Sequence, residues 1–248
     1  MNSHPFNASE YDLADYNRPV RTYILCTAPR CGGTLLGSLL QETGKMGMPH
    51  EYFHLQENTP ELAQNWGLEA PVETARYIQT ALKKRTSENG VFGLKAHFSQ
   101  FGPLLRKAPF QEFLKTTKAY IHITRKDLLA QAVSYAIAHQ TRHWSSLQPS
   151  QTEAKYDEEM IEKCLNDILN QNTAWQKFFA LNNIAPITLS YEQLLEDTNH
   201  HCQKICKAVG VEDVAPFKLE SSPLAKQRNQ MNEDWIERFR KSKNSFNQ

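Results

Sequence analysis

Residues 21–41, RTYILCTAPRCGGTLLGSLLQ, join an apolar run of β-formers to a leucine-rich segment through a Pro-Arg-Cys-Gly-Gly turn. The run at 21–28 reads as a buried strand. Leu35, Leu36, Leu39 and Leu40 recur at helical spacing, and Gly44 stands where a helix C-cap glycine belongs. A strand that turns straight into a helix calls for a crossover to a parallel neighbour, and the rest of the chain repeats the alternation. Further strands are expected at 90–98, 119–124 and 186–191. Helices are expected at 71–86, 110–117 and after Asp127, which is placed as an N-cap. A long amphipathic segment spans 156–183, two short helices follow the fourth strand, the second ending at Gly210, and the tail turns helical from about Met231. The pattern predicts an α/β, three-layer fold with a parallel central sheet and helices on both faces. Residues 1–20 read as a polar, loosely packed N-terminal arm and 21–248 as a single domain, a size at which one core suffices.

Net charge is +1, so no global field draws the chain to nucleic acid or an anionic membrane, and any basic site must be local. Five cysteines, an odd number without framework spacing, point to reduced thiols and a cytoplasmic setting. The first residues carry no apolar signal core, and no stretch approaches the roughly 18 apolar residues of a membrane span.

In sheets of this kind ligands bind beyond the carboxyl ends of the strands, where the Pro-Arg-Cys-Gly-Gly turn falls. Unpaired amides at a helix start and the helix dipole favour an anion there. A phosphate-binding loop of the pattern G-x-x-x-x-G-K-[ST] would align Thr34 with its hydroxyl residue and Gly32 with its second glycine. Gly33 then stands where the lysine belongs. Arg30 offers a fork of donors instead. The third strand ends ITRKD, with Arg before the acid, so magnesium–nucleoside triphosphate chemistry is poorly supported. A glycine turn that merely packs a helix on a strand is the plain alternative. Cys31 at a helix start beside Arg30 could be a nucleophile, but phosphatase loops place the arginine after the cysteine. His201, Cys202 and Cys206 share a helical face without a fourth ligand, and no metal is expected.

The segments YILCTAPRCGGTLL, MPHEYFH, FGLKAH, ITRKDLLAQAVSYAIAHQT, SYEQLLEDTNHHCQKICKAVGV and LAKQRNQMNEDWIERF occur in the order seen in bacterial sulfotransferases of the trehalose 2-sulfotransferase type, and the chain resembles them over roughly residues 21–240. The resemblance implies a P-loop-like sulfotransferase fold and 3′-phosphoadenosine-5′-phosphosulfate (PAPS) as co-substrate, with no metal. It also implies sulfuryl transfer to a hydroxyl, commonly of a carbohydrate; the acceptor is a hydroxylated small molecule or glycolipid. By the same likeness Arg30, Cys31, Gly32, Gly33 and Thr34 form the 5′-phosphosulfate loop, with Arg30 also catalytic. Arg125 and Ser134 hold the 3′-phosphate, Lys226 and Arg228 close over it, and Glu51 matches the general base. The family usually carries a hydroxyl residue at one or both of positions 31 and 33, and this chain has Cys31 and Gly33. His50 and His54 stay open as alternatives to Glu51, and Lys95 is a candidate for steadying the leaving phosphate. The loops at 52–70 and 141–155 are expected to shape the acceptor pocket. A homodimer is expected from the family and from Trp235 and Phe239 of the tail helix. The competing readings are a P-loop-derived kinase, which would require magnesium and ATP, and a non-catalytic nucleotide-binding protein, which would not need Glu51.

Overall fold

In the computed structural model, which describes residues 5–144, 152–222 and 229–244, four parallel strands form one sheet in the order β2-β1-β3-β4. They are β1 (Arg21–Thr27), β2 (Val91–His97), β3 (Thr117–Thr124) and β4 (Ile187–Ser190). The helices are α1 (Gly33–Gln41), α2 (Asn58–Asn65), α3 (Thr74–Arg85), α4 (Phe98–Phe101), α5 (Ala108–Leu114), α6 (Leu128–Thr141), α7 (Glu158–Leu181), α8 (Tyr191–Glu196), α9 (Thr198–Ala208) and α10 (Gln230–Asn244).

Strand periodicity explains the two apolar layers. Tyr23 and Leu25 face one side of the sheet, with Ile121, Ile123 and Leu189, under Leu36, Leu39 and Leu40 of α1 and the apolar face of α9. Ile24 and Cys26 face the other, with Phe92, Leu94 and Ala96, under α3, α5 and the Trp175–Phe179 end of α7. Continuous burial of both faces is why β1 and β2 read as largely apolar runs, with Lys95 the charged exception inside β2. A third cluster joins α6, α7 and α10 through Val133, Ala136, Ile161, Ile168, Trp235, Ile236 and Phe239. Asp127 caps α6 as expected, its side chain accepting from the Ala130 amide at 3.0 Å.

Two expectations need correction. Residues 5–20 are not loosely packed: Phe6 and Asn7 are buried. Arg85, fully buried at the end of α3, requires the arm; its guanidinium donates to the Phe6 carbonyl at 3.0 Å and pairs with Asp12 at 2.9 Å. Buried cations persist only when paired in this way. The expected loop at 52–70 contains α2, whose Leu62 and Ala63 pack into the aromatic side of the core.

The chain passes from β1 to β2 on one side and then crosses to β3 on the other. The strand order therefore reverses at β1, and the carboxyl ends of β2, β1 and β3 converge at the crevice where such sheets bind ligands.

Candidate active site

The loop from β1 to α1 is built around two unusual backbone positions. Arg30 has φ 62° and Gly32 φ 91°. A non-glycine residue in the left-handed region costs of order 1–3 kcal/mol, which marks Arg30 as held there by its surroundings. Gln131 of α6 donates to the Pro29 carbonyl at 2.7 Å, and buried Trp175 donates to the Thr27 carbonyl at 3.0 Å, so helices on two sides pin the loop. Both glycines are required by close approach. A β-carbon at Gly32 would come within 2.5 Å of the Tyr191 ring, and one at Gly33 within 2.6 Å of Thr27 Cγ2 and 3.3 Å of Lys95 Cε.

That last contact accounts for the lysine missing from the loop: a lysine arrives from the neighbouring strand. Lys95 of β2 reaches over the first turn of α1, and its ammonium donates to Thr34 Oγ1 at 3.0 Å. Gly33 is small because Lys95 lies across it.

The same ammonium forms a short ion pair with Glu51 Oε1, while Gln100 donates to Glu51 Oε2 at 2.6 Å. His97 Nε2 stands 3.6 Å from Oε1. Burial pushes the Glu51 carboxyl up, but Lys95, with His97 and Gln100 adding, outweighs it and holds the group well below the usual carboxylate range. Burial pushes His97 down more than Glu51 raises it, and Lys95 is the cation in hydrogen-bond contact with the carboxylate. The other ring nitrogen of His97 is fixed by the neighbouring strand. Thr27 Oγ1 lies 2.9 Å from the Ala96 carbonyl oxygen and 2.8 Å from His97 Nδ1, which holds the imidazole in place beside Glu51.

Of the three candidate bases, the structure brings only Glu51 into this cluster. His50 is buried and its Nε2 donates to Asn7 Oδ1 at 2.8 Å; His54 lies 3.4 Å from Glu57. Asn58 donates to the Glu51 carbonyl at 3.1 Å and fixes the loop that carries it.

A second cationic cluster lies at the end of β3. Arg30 Nε donates to Ser134 Oγ at 3.0 Å, and another of its nitrogens donates to the Trp144 carbonyl. Arg125 lies 5.2 Å over the Tyr191 ring, and its buried Nε has no hydrogen-bond partner among the described residues. Burial, and after it the adjacent Arg125 charge, push Arg30 down to about 10. Like charges set together in a buried site call for an anion. The Arg30 side chain reaches Ser134, and Lys95 is the cation beside Glu51 and Thr34.

Cys31 is also reassigned. Its side chain packs in the core with Leu36 and Leu194, its amide donates to the Ala28 carbonyl at 3.3 Å, and burial pushes its thiol up. It shapes the loop without offering a nucleophile. Cys202 and Cys206 are core residues, their thiols pushed up to about 12 and about 11 by burial. Among the described residues no group of three or more His, Cys, Asp or Glu side chains converges on a metal position. Lys226 and Arg228 lie outside the described residues.

Beside Glu51 stands a mixed wall. Ser99 donates to Gln171 Oε1, Gln171 donates to Asp167 at 2.9 Å, and Tyr135 donates to the same carboxylate at 3.3 Å. The rings of Tyr135, His139 and Trp144 cluster next to it, with centroids 4.6–6.1 Å apart.

A parallel sheet with a glycine turn at its switch point, two cationic clusters and a buried carboxylate is an arrangement suited to group transfer. The sequence profile of the Stf0 sulphotransferases matches residues 22–242, and the chain belongs to that family. It is 25% identical to a trehalose 2-sulfotransferase of Mycobacterium tuberculosis, the alignment covering 90% of this chain and 96% of that protein. To a trehalose 2-sulfotransferase of Mycolicibacterium smegmatis it is 26% identical, over 88% and 94%. Among solved structures, a sulfotransferase domain from the curacin biosynthetic pathway superposes with a TM-score of 0.56 at 14% identity, over 88% of this chain and 83% of that one, a likeness of fold. The chain is thus a sulfotransferase. No helix among its described residues is long and apolar enough to cross a membrane.

Proposed function

We propose that this sulfotransferase moves a sulfuryl group from PAPS to a hydroxyl of a carbohydrate or similar polar acceptor, without a metal. What supports the reading is the presence of two separate cationic clusters at the strand ends. One is formed by Gly33, Thr34 and Lys95, the other by Arg30, Arg125 and Ser134. PAPS has an anionic group at each end of its ribose, a 5′-phosphosulfate and a 3′-phosphate. ATP has only one such end, so the second pocket speaks against the kinase reading.

In this reading the α1 amides, Thr34 and Lys95 bind the 5′-phosphosulfate, and Arg125, Arg30 and Ser134 bind the 3′-phosphate. The acceptor oxygen attacks sulfur. The bond from sulfur to the 5′-phosphate oxygen breaks with its electron pair going to phosphate, where Lys95 and the loop meet the growing charge. The hydroxyl proton passes to Glu51. An ionised carboxylate is a weak base, but it need only receive the proton as the new bond makes the hydroxyl acidic. Two relatives named for a sugar, and the wall of Tyr135, His139, Trp144, Asp167 and Gln171, favour a polyhydroxylated acceptor, free or on a glycolipid. Rings that cover apolar sugar faces and side chains that bond hydroxyls are what such a ligand needs. Five free, buried cysteines fit a reducing, cytoplasmic setting.

Adenosine-3′,5′-bisphosphate is expected to stabilise the fold in EDTA, by about 2.7 kcal/mol at 100 times its dissociation constant. Thermal unfolding measures this. A shift with magnesium and ATP but none with the bisphosphate would overturn the reading.

Homodimer assembly rests on the resemblance alone, because Trp235 and Phe239 are buried within the chain against α6 and α7. Light scattering at micromolar concentration is expected to give twice the chain mass; a value of 28.5 kDa would refute the dimer.

A further inference from the structure

Lys95 is shared between two sites. Its backbone is fixed in β2, opposite Leu25, and its amide donates to the His50 carbonyl at 3.0 Å. Its ammonium donates both to Thr34, on the first turn of α1, and to Glu51. The ammonium offers three donors but a single charge. The other groups at the Glu51 carboxylate are Gln100, which is neutral, and His97 at 3.6 Å, outside hydrogen-bond distance. Among the described residues, Lys95 is therefore the one full positive charge in hydrogen-bond contact with Glu51. Its stem also lies across Gly33, where α1 opens. An anion seated at the amides there and the Glu51 carboxylate must compete for the lysine.

We propose that Lys95 couples the donor site to the base: a phosphate in the loop draws the ammonium off Glu51 and so releases the carboxylate to the acceptor hydroxyl only when donor is in place. The inference rests on the donor reading above. The motion needed is small, a turn about the last bonds of a lysine whose stem already lies across Gly33, with no movement of the strand. Coupling of this kind is reciprocal. Weakening the Lys95–Glu51 pair must strengthen the hold on the anion, and a bound anion must loosen Glu51. The order of events follows: donor first, acceptor second. A carboxylate tied to Lys95 is a poor proton acceptor, so the reaction begins only on a loaded enzyme.

The test is calorimetry of adenosine-3′,5′-bisphosphate, in EDTA, against wild type, Glu51→Gln, Lys95→Met and the double variant. Glu51→Gln is expected to bind roughly tenfold tighter than wild type, a change of about 1.4 kcal/mol. Lys95→Met is expected to bind at least about tenfold more weakly, and in that background Glu51→Gln should bring no gain, because the coupling runs through the lysine. Circular dichroism checks each fold, and Lys95→Gln replaces Lys95→Met if the latter does not fold. Equal or weaker binding by Glu51→Gln overturns the coupling, as does a gain that persists without the lysine; the donor reading survives either result. Failure of every protein, wild type included, to bind the bisphosphate overturns the donor reading and the coupling with it.

Discussion

Glu51→Gln is expected to lower kcat by roughly 10²–10⁴-fold, the usual worth of general-base help, while holding the donor at least as firmly as wild type. Glutamine keeps the volume of the side chain and can still accept from Lys95, so the loop from residue 50 to 58 should keep its place through Asn58. What is lost is the charge that takes the acceptor's proton. The neighbouring imidazoles are poor substitutes, with His50 bonded to Asn7 and His54 beside Glu57. Single-turnover sulfuryl transfer, run alongside donor binding on the same variant, separates the two effects. Loss of turnover together with loss of binding would mean that Glu51 supports the loop and does not serve the chemistry. Full turnover would remove it from the mechanism.

Arg125→Ala is expected to weaken adenosine-3′,5′-bisphosphate binding by on the order of 1.5–3 kcal/mol, the value of a charge-assisted contact, with the fold retained. The lower end is favoured. Removing Arg125 relieves the repulsion that pushes Arg30 down, and Arg30 stays beside Ser134 to hold part of the phosphate. Adenosine-5′-phosphate is the control ligand. It lacks the 3′-phosphate, so its affinity should be the same for both proteins. An equal loss for both nucleotides would place Arg125 elsewhere, as a support of the loop through Tyr191, and equal affinity of wild type and variant for the bisphosphate would take it out of the site.

Much of this fold is legible in the residues because both faces of its sheet are buried. Tyr23 to Cys26 and, apart from Lys95, Val91 to Ala96 are apolar runs for that reason, and the Gly-rich turn from β1 to α1 carries its own geometry. The cap at Asp127 is readable since its bond to Ala130 is local. Helix α2 is not, because its sequence NTPELAQN is polar and its order comes from the arm and the aromatic core: Asn7 bonds Asn58 and Glu61, and Leu62 is fully buried.

The site divides in the same way. Glu51, Ser134 and the glycines could be placed from motifs. Lys95 is legible as a candidate beside the leaving phosphate, but its contact with both Thr34 and Glu51 is not, since it depends on the register that sets Lys95 opposite Leu25. One signal was available: a lysine inside an otherwise apolar, doubly buried strand must have a partner. His97, two residues further along the same strand, escapes a linear reading because its partners, Thr27 and Glu51, come from other parts of the chain.

The central claim is metal-free sulfuryl transfer from PAPS to a polyhydroxylated acceptor. Its most direct test is mass spectrometry of a metabolite extract incubated with the protein and sulfur-labelled PAPS in EDTA, with Glu51→Gln as the control. The account predicts a labelled sulfate ester of a saccharide or glycolipid, formed by wild type and lost with the variant. Consumption of ATP with phosphorylated products, or no labelled ester despite firm binding of the donor, would contradict it.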